Sequence, residues 1–237
     1  MLDICTVPCR VGYMDNLSYI LVDRDTGISA VVDPSETAPI IAKCAEMNLK
    51  PDYIFNTHHH FDHTDGNLEL KKLYGSRIVA WQADAERIPG FDLGVVPGKT
   101  FSLGNSVADI IDVSAHTQNH ILWYFKADKA LFTGDTLFNL CIGGLFEGSV
   151  EQMFDALSKI KALPDDVLFY PGHEYTLQAV PMAEHFVRDD AALKQYVQNA
   201  RAQIARGLPV SPVPLGLEKK CNPYLLPDSP EQFARLF

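Results

Sequence analysis

The sequence predicts an α+β chain: a layered domain of strands and helices over residues 1–173, then a small α-helical part over residues 174–237. Three observations carry this. Up to about residue 80, apolar runs of strand length alternate with helically spaced runs, in the order strand, helix, strand, helix, strand, which marks layered α and β structure. From Lys99 onward, short apolar strands follow one another between turn residues. Beyond His173 the apolar spacing turns helical and good helix formers dominate.

Residues 4–34 read as an antiparallel start. Residues 16–23 form a strand, Asp25-Thr26-Gly27 a turn and residues 29–34 the returning strand. Asp33 stands at that strand's end and Pro34 blocks continuation. The acid there either orients a metal-binding histidine from behind or caps the helix that follows. Residues 38–48 carry Ile40, Ile41, Cys44, Ala45 and Met47 at helical spacing. Residues 53–56 read as a buried strand, 65–74 as a helix with Gly75 near its end, and 77–80 as another strand. Strands are expected over 100–103, 106–113, 121–125, 130–133 and 166–170, with Gly104-Asn105 as a turn. Helices are expected over 176–187 and 191–206, then a Pro-rich connector over 211–216 and a short final helix over 230–237.

The candidate site begins after the strand at 53–56. Thr57-His58-His59-His60-Phe61-Asp62-His63 places four metal-competent side chains, His58, His60, Asp62 and His63, within six positions. Imidazole nitrogen and carboxylate oxygen suit zinc, iron or manganese. The cluster sits where a strand ends and a loop begins, a position that favours binding and catalysis. The same placement recurs: buried strands or tight turns deliver His116, Asp135 and His173. In layered sheets such strand ends converge on one edge, where ligands bind. His59 alternates with two candidate ligands and should point away from them in an extended segment. His120 fits a supporting role behind the ligands, and His185 lies in a charged helical segment expected at the surface.

Composition narrows the alternatives. The chain has 237 residues, 47% of them hydrophobic, enough for one large core. A formal net charge of −10 argues against nucleic acid or an anionic membrane as the main partner. No apolar run approaches the roughly 20 residues of a membrane span, and the N-terminal stretch does not read as a signal peptide. Five scattered cysteines make a disulfide framework improbable and point to a reducing, cytoplasmic location.

These residues resemble the metallo-β-lactamase superfamily and, within it, the glyoxalase II (hydroxyacylglutathione hydrolase) family. The family pattern T-H-x-H-x-D-H is met by Thr57, His58, His60, Asp62 and His63; G-D-T-L-F by Gly134 to Phe138; F-E-G by Phe146-Glu147-Gly148; and H-E-Y-T by His173 to Thr176. The resemblance implies a four-layer αββα sandwich with a helical C-terminal domain. It implies two divalent metal ions, zinc first, with iron or manganese as alternatives. His58, His60 and His116 would hold one; Asp62, His63 and His173 the other; Asp135 would bridge them. It implies a small-molecule thioester substrate of glutathione or a related thiol, with Tyr175, Phe146 and Gly144 as substrate contacts and Asp62 and Asp135 as catalytic carboxylates.

The sequence also departs from that family. Ser114-Ala115 precedes His116 in place of Pro-Gly, and Asn119 precedes His120 in place of Gly. Gly144 stands where the family usually has Lys or Arg, and the basic C-terminal tail is missing, which weakens recognition of glutathione's carboxylates. Lys219 and Lys220 are candidates to compensate.

Two metals ~3.5–4 Å apart can share a water and lower its pKa toward ~7; with the substrate that the resemblance implies, the expected activity is hydrolysis of 2-hydroxyacyl thioesters such as S-lactoylglutathione by metal-bridged hydroxide. The alternatives are another superfamily chemistry (lactonase, β-lactamase-like hydrolase or glutathione persulfide dioxygenase) and a non-enzymatic metal-binding protein. No G-x-S-x-G elbow supports a serine nucleophile, and no cysteine adjoins a motif histidine.

Overall fold

The computed structural model describes residues 1–188 and 190–237. Two six-stranded sheets lie face to face. The first contains β1 (Leu2–Cys9), β2 (Asn16–Asp23), β3 (Ser29–Val32), β4 (Tyr53–Phe55), β5 (Arg77–Trp81) and β6 (Leu93–Val95), in that order. Its first three strands are antiparallel and β3 to β6 run parallel. The second contains β7 (Thr100–Leu103), β8 (Ser106–Asp112), β9 (Ile121–Phe125), β10 (Ala130–Gly134), β13 (Leu168–Pro171) and β14 (Val213–Pro214), ordered β14-β13-β10-β9-β8-β7. A small hairpin, β11 (Leu137–Phe138) with β12 (Cys141–Ile142), stands apart.

Period-two alternation builds the layers. Tyr19, Leu21, Val32 and Phe55 of the first sheet face Trp123, Phe125 and Phe132 of the second in one apolar core. The Phe55 ring stacks on Trp123 with centroids 4.3 Å apart. The alternate residues Ile20, Val31, Ile54 and Ile78 turn outward, where α1 (Thr37–Glu46) and α3 (Asn67–Tyr74) cover them with Ile40, Cys44 and Leu70. The outer face of the second sheet (Leu122, Tyr124, Leu131 and Phe169) is covered by α4 (Val150–Lys161) through Met153, Leu157 and Ile160. The result is the expected four-layer αββα order.

The differences from expectation have local causes. α4 has no counterpart among the expected elements, although Ser149 and Gln152 form a reciprocal capping box at its start. The segment after β4 is not a continuous loop: α2 (Phe61–Thr64) is one helical turn that carries Asp62 and His63. β1 is a full strand paired along its length with β2.

The C-terminal part contains α5 (Thr176–Phe186), α6 (Ala191–Ile204), α7 (Leu215–Cys221) and α8 (Pro230–Phe233). α5 and α6 share a core of Ala179, Ala183, Tyr196, Val197 and Ala200. The expected connector over 211–216 is instead β14 and the start of α7. Val213 pairs with Phe169, and the Leu215 N–H donates to Val167 O at 2.7 Å. A backbone that close to a sheet edge joins it and satisfies its own polar groups. The final helix is shorter than expected, a single turn followed by a 3-10 turn over Ala234–Leu236. Among the described residues, no helix is long and apolar enough to cross a membrane.

Candidate metal centre

The candidate ligands meet at one edge of the sandwich. The end of β4 and α2 bring His58, His60, Asp62 and His63 from the first sheet, while the β8–β9 loop, the end of β10 and the end of β13 bring His116, Asp135 and His173 from the second. Two groups result: His58, His60, His116 and Asp135, and Asp62, His63 and His173, with ligand atoms inside each group within 4.8 Å of one another. Asp135 lies between them. Its Oδ1 is 3.2 Å from His63 Nε2, and its Oδ2 is 3.4 Å from His116 Nε2 and 3.3 Å from His173 Nε2.

Four of the five rings, those of His58, His63, His116 and His173, are fixed from behind. His116 Nδ1 donates to Gly144 O at 2.6 Å and His173 Nδ1 to Met14 O at 2.8 Å, since a carbonyl only accepts. His63 Nδ1 lies 3.0 Å from Asp33 Oδ2. Thr57 Oγ1 donates to Asp33 at 2.6 Å, which leaves its lone pairs for His58 Nδ1 at 3.0 Å. These partners hold the Nδ1–H tautomer and turn Nε2 of His58, His63, His116 and His173 inward. Asp33 therefore acts through Thr57 and His63 and does not cap α1, whose N-cap is Glu36. Glycine is required beside Asp135. Gly134 has φ +48°, and a Cβ there would overlap Thr57 and His120. A Cβ at Gly172 would overlap Asp135 and His63.

Two observations fit a cation pair. His58 Nε2 and Asp135 Oδ1 are buried with no hydrogen-bond partner, an arrangement that costs free energy unless something else binds there. In addition, donors at roughly 2.0–2.2 Å from a tetrahedral cation lie about 3.3–3.6 Å apart. Here His63 and His173 Nε2 are 3.3 Å apart, and His116 Nε2 lies 3.1 Å from His60 Nδ1. The grouping of Asp33 with His58 and His63 is a weaker candidate, because the Asp33 oxygens already accept from Thr57 and face His63 Nδ1.

Charge separates the two groups. Burial, reinforced by neighbouring imidazoles, lowers His58 well below the ordinary histidine pKa, takes His60 to about 4 and lowers His116. Burial also opposes protonation of His63 and His173, but Asp135 outweighs it and raises both, His173 to about 9. Burial would raise Asp62, yet His173, His63 and Asn16 hold it below the usual carboxylate range; His63 and His173 do the same for Asp135.

A cavity of about 400 Å³ opens onto these groups, lined also by Met14, Phe61, Phe138, Gly144, Phe146 and Tyr175. The three expected substrate contacts thus share its wall. Tyr175 stacks on His173 at 4.7 Å, and Phe146 stands 5.1 Å from the His116 ring. His59 turns away, toward Asp84 and Glu147. His120 lies behind the centre, where its Nε2 accepts from Asp135 N at 3.1 Å. His185 is exposed. Lys219 does not compensate for Gly144: its ammonium donates to Leu163 O and Asp165, and neither it nor Lys220 lines the cavity. Asn16 was not expected. Its Nδ2 donates to Asp62 Oδ2 at 2.9 Å and to Asp62 O at 3.1 Å, and an asparagine at a strand start gives no sign of this in sequence.

Comparison with known proteins agrees with this geometry. Residues 13–173 match the metallo-beta-lactamase superfamily, and residues 174–235 match the hydroxyacylglutathione hydrolase C-terminus. A hydroxyacylglutathione hydrolase of Pelagibacter ubique is 39% identical over 222 residues, covering 94% of this chain and 93% of that protein. One of Ruegeria pomeroyi is 42% identical over 224 residues, covering 94% and 87%. The crystal structure of ETHE1 from Myxococcus xanthus shares the fold, with a TM-score of 0.75 at 21% identity over 99% of this chain and 89% of that one. With its sandwich, its converging histidines and aspartates and its C-terminal helices, the chain belongs to the hydroxyacylglutathione hydrolase family of the metallo-β-lactamase superfamily.

Proposed function

We propose that this protein is a dinuclear metal-dependent thioesterase that hydrolyses 2-hydroxyacyl thioesters such as S-lactoylglutathione to the hydroxy acid and free thiol. The observation that carries the reading is the position of Asp135, within 3.4 Å of imidazoles from both ligand groups, beneath a cavity of substrate size. His58, His60 and His116 would hold one cation, Asp62, His63 and His173 the second, with Asp135 shared. Zinc suits this donor set, as do iron and manganese.

When bound, such a pair lowers the pKa of a shared water and polarises a carbonyl. The chain's own groups do the rest. Asp62, whose Oδ2 accepts from Asn16 Nδ2, would orient the attacking water. Phe146 and Gly144 on one side and Tyr175 on the other form the wall against which the acyl-thiol would lie. Burial pushes the Tyr175 hydroxyl up to about 12, so it stays protonated and able to donate. A thiolate is a fair leaving group, so no separate general acid is demanded. Residues 174–237 supply Tyr175 and pack beside the cavity, and we assign them as the substrate-side domain.

The test is a substrate panel with metal content measured on the same sample. S-lactoylglutathione should be cleaved faster than lactones or β-lactams, with two equivalents of metal bound. Oxygen uptake with glutathione persulfide, and no thioester cleavage, would replace this reading by a dioxygenase. No turnover of any of these substrates would leave a metal-binding protein.

A further inference from the structure

Among the described residues the two sheets share no strand ladder, so the first ligand group depends on contacts that set one half of the sandwich against the other. The second group has a backbone tie across the halves. Leu17 N donates to Gly172 O at 2.8 Å, and Asn16 forms a bridge with His173. Among the described residues, the first group has such a tie only at its base, where Ile121 N donates to Thr57 O at 3.0 Å. At its mouth the halves are joined by side chains.

Arg87, in the segment after β5, is the centre of that junction. Its Nε donates to Asp84 Oδ1 at 2.5 Å, one terminal nitrogen to both Glu147 oxygens at 2.9 and 3.1 Å, and the other to Gln118 O at 2.9 Å. Glu147 in turn accepts from Gln118 N at 2.7 Å. Asp84 is 2% exposed, and its Oδ1 also accepts from Asn119 Nδ2 at 3.3 Å. His59, between ligands His58 and His60, lies 3.3 Å from Asp84 and 3.4 Å from Glu147. On the far side, the amides of Phe146 and Glu147 both donate to His116 O, and Gly144 O receives the His116 Nδ1 proton. Arg87 thus holds the His116 loop directly, through Glu147 and Gln118 O, and reaches the His58–His60 segment through the His59 side chain, whose Nε2 lies 3.4 Å from Arg87 Nη1.

We infer that Arg87 is a positioning residue: with Asp84 and Glu147 it forms a clasp that sets His116 against His58 and His60 and thereby tunes the affinity of the first ligand group for its cation. The inference rests on the two-cation reading of the site. It predicts a selective effect, because the second group has its own tie across the halves and does not touch the clasp. A guanidinium is suited to the task, since its planar fork meets Asp84, Glu147 and a carbonyl at once, which an ammonium cannot do.

The experiment is stepwise titration of apoprotein with Co²⁺, followed by its visible spectrum and by competition with a chelator. It uses the wild type, Arg87→Ala, Arg87→Lys, Glu147→Gln and, as a control, Lys129→Ala at an exposed ion pair. His116→Ala identifies the step that belongs to the first group. Arg87→Ala should weaken that step about tenfold, the scale of an outer partner's loss. The other step should stay within about twofold. Arg87→Lys and Glu147→Gln should fall between, and Lys129→Ala should match wild type. Equal weakening of both steps, or a lower Tm with neither step moved, would overturn the clasp. If Arg87→Ala does not fold, Glu147→Gln decides by the same criterion. A wild type that takes up one cation would refute the dinuclear reading; the clasp then stands or falls on whether Arg87→Lys and Arg87→Ala weaken that one step.

Discussion

Two buried polar clusters flank the β11–β12 hairpin, and they are built on opposite terms. At the metal edge, Asp135 is surrounded by imidazoles that hold its carboxyl well below the usual range, and polar atoms of His58 and Asp135 have no hydrogen-bond partner. At the seam with the C-terminal helices, Glu218 is fully buried among neutral partners. It accepts from Leu140 N at 2.9 Å, from Asn222 Nδ2 at 2.9 Å and from the Tyr196 hydroxyl. Asn139 Nδ2 donates to the Tyr196 hydroxyl, and Ser211 donates to Asn139 Oδ1, both at 2.6 Å. None of these five side chains is left with an unpartnered buried atom among the described residues. Burial pushes Glu218 up to about 7, against hydrogen bonds that lower it. Buried polarity that is satisfied within the chain holds a fold together; buried polarity left open marks a place for a ligand.

The comparison breaks most visibly at Asp135. Asp135→Ala should lower hydrolysis by more than about a hundredfold and reduce bound metal, since loss of even an outer partner costs about 10–100-fold. Initial rates with metal analysis check this. Full activity with one metal or none would show that Asp135 holds no cation that matters to the reaction.

Glu218→Ala should do the reverse. It strands the Leu140 amide, the Asn222 amide and the Tyr196 hydroxyl, at a cost of about 2–4 kcal/mol, or roughly 5–15 °C in Tm for a chain of this size. Metal content should not change. Calorimetry beside metal analysis separates the outcomes, and a metal loss as large as that of Asp135→Ala would erase the distinction between the clusters.

The pH dependence sharpens it further. The folded pKa of Glu218, about 7, lies above the ordinary glutamate value of 4.5. Between these values the unfolded chain releases the proton and the folded chain keeps it, so stability falls as pH rises from about 4.5 to 7 and is flat in this group outside that window. The fall is on the order of 3 kcal/mol. Glu218→Gln should remove it, read as the difference between the two denaturation profiles. Identical profiles would show that Glu218 does not titrate there.

The smallest effect belongs to the rim. Phe146 is 71% exposed over the His60 and His116 rings. Phe146→Ala should raise KM for a lactoyl thioester about threefold to tenfold while kcat changes less, as the loss of ground-state contact predicts. Unchanged KM would remove Phe146 from the substrate wall.

Much of this was legible in the chain. Residues 53–56 read as a strand because the run is apolar and aromatic with no Gly or Pro, and His58, His60, Asp62 and His63 were legible as candidate ligands because four metal-competent side chains follow so closely after a buried strand. His59 was separable from its neighbours by alternation alone, and it does face away. What was hidden has an identifiable character. Asn16, Met14, Arg87 and Glu147 are ordinary residues whose partners lie tens of positions away, and α4 begins with a cap that only gains meaning once its apolar face meets Leu122 and Phe169. Lys219 was a plausible cation until Leu163 and Asp165 were seen to take its ammonium.

By itself, then, the sequence determined the order of layers and the donor atoms available, because periodicity and side-chain chemistry are local properties. Only the tertiary structure decided which donors share a group, which imidazole nitrogen faces inward and which carboxylate carries charge. Those depend on distances between sheets and on burial, and neither is written in any single stretch of chain.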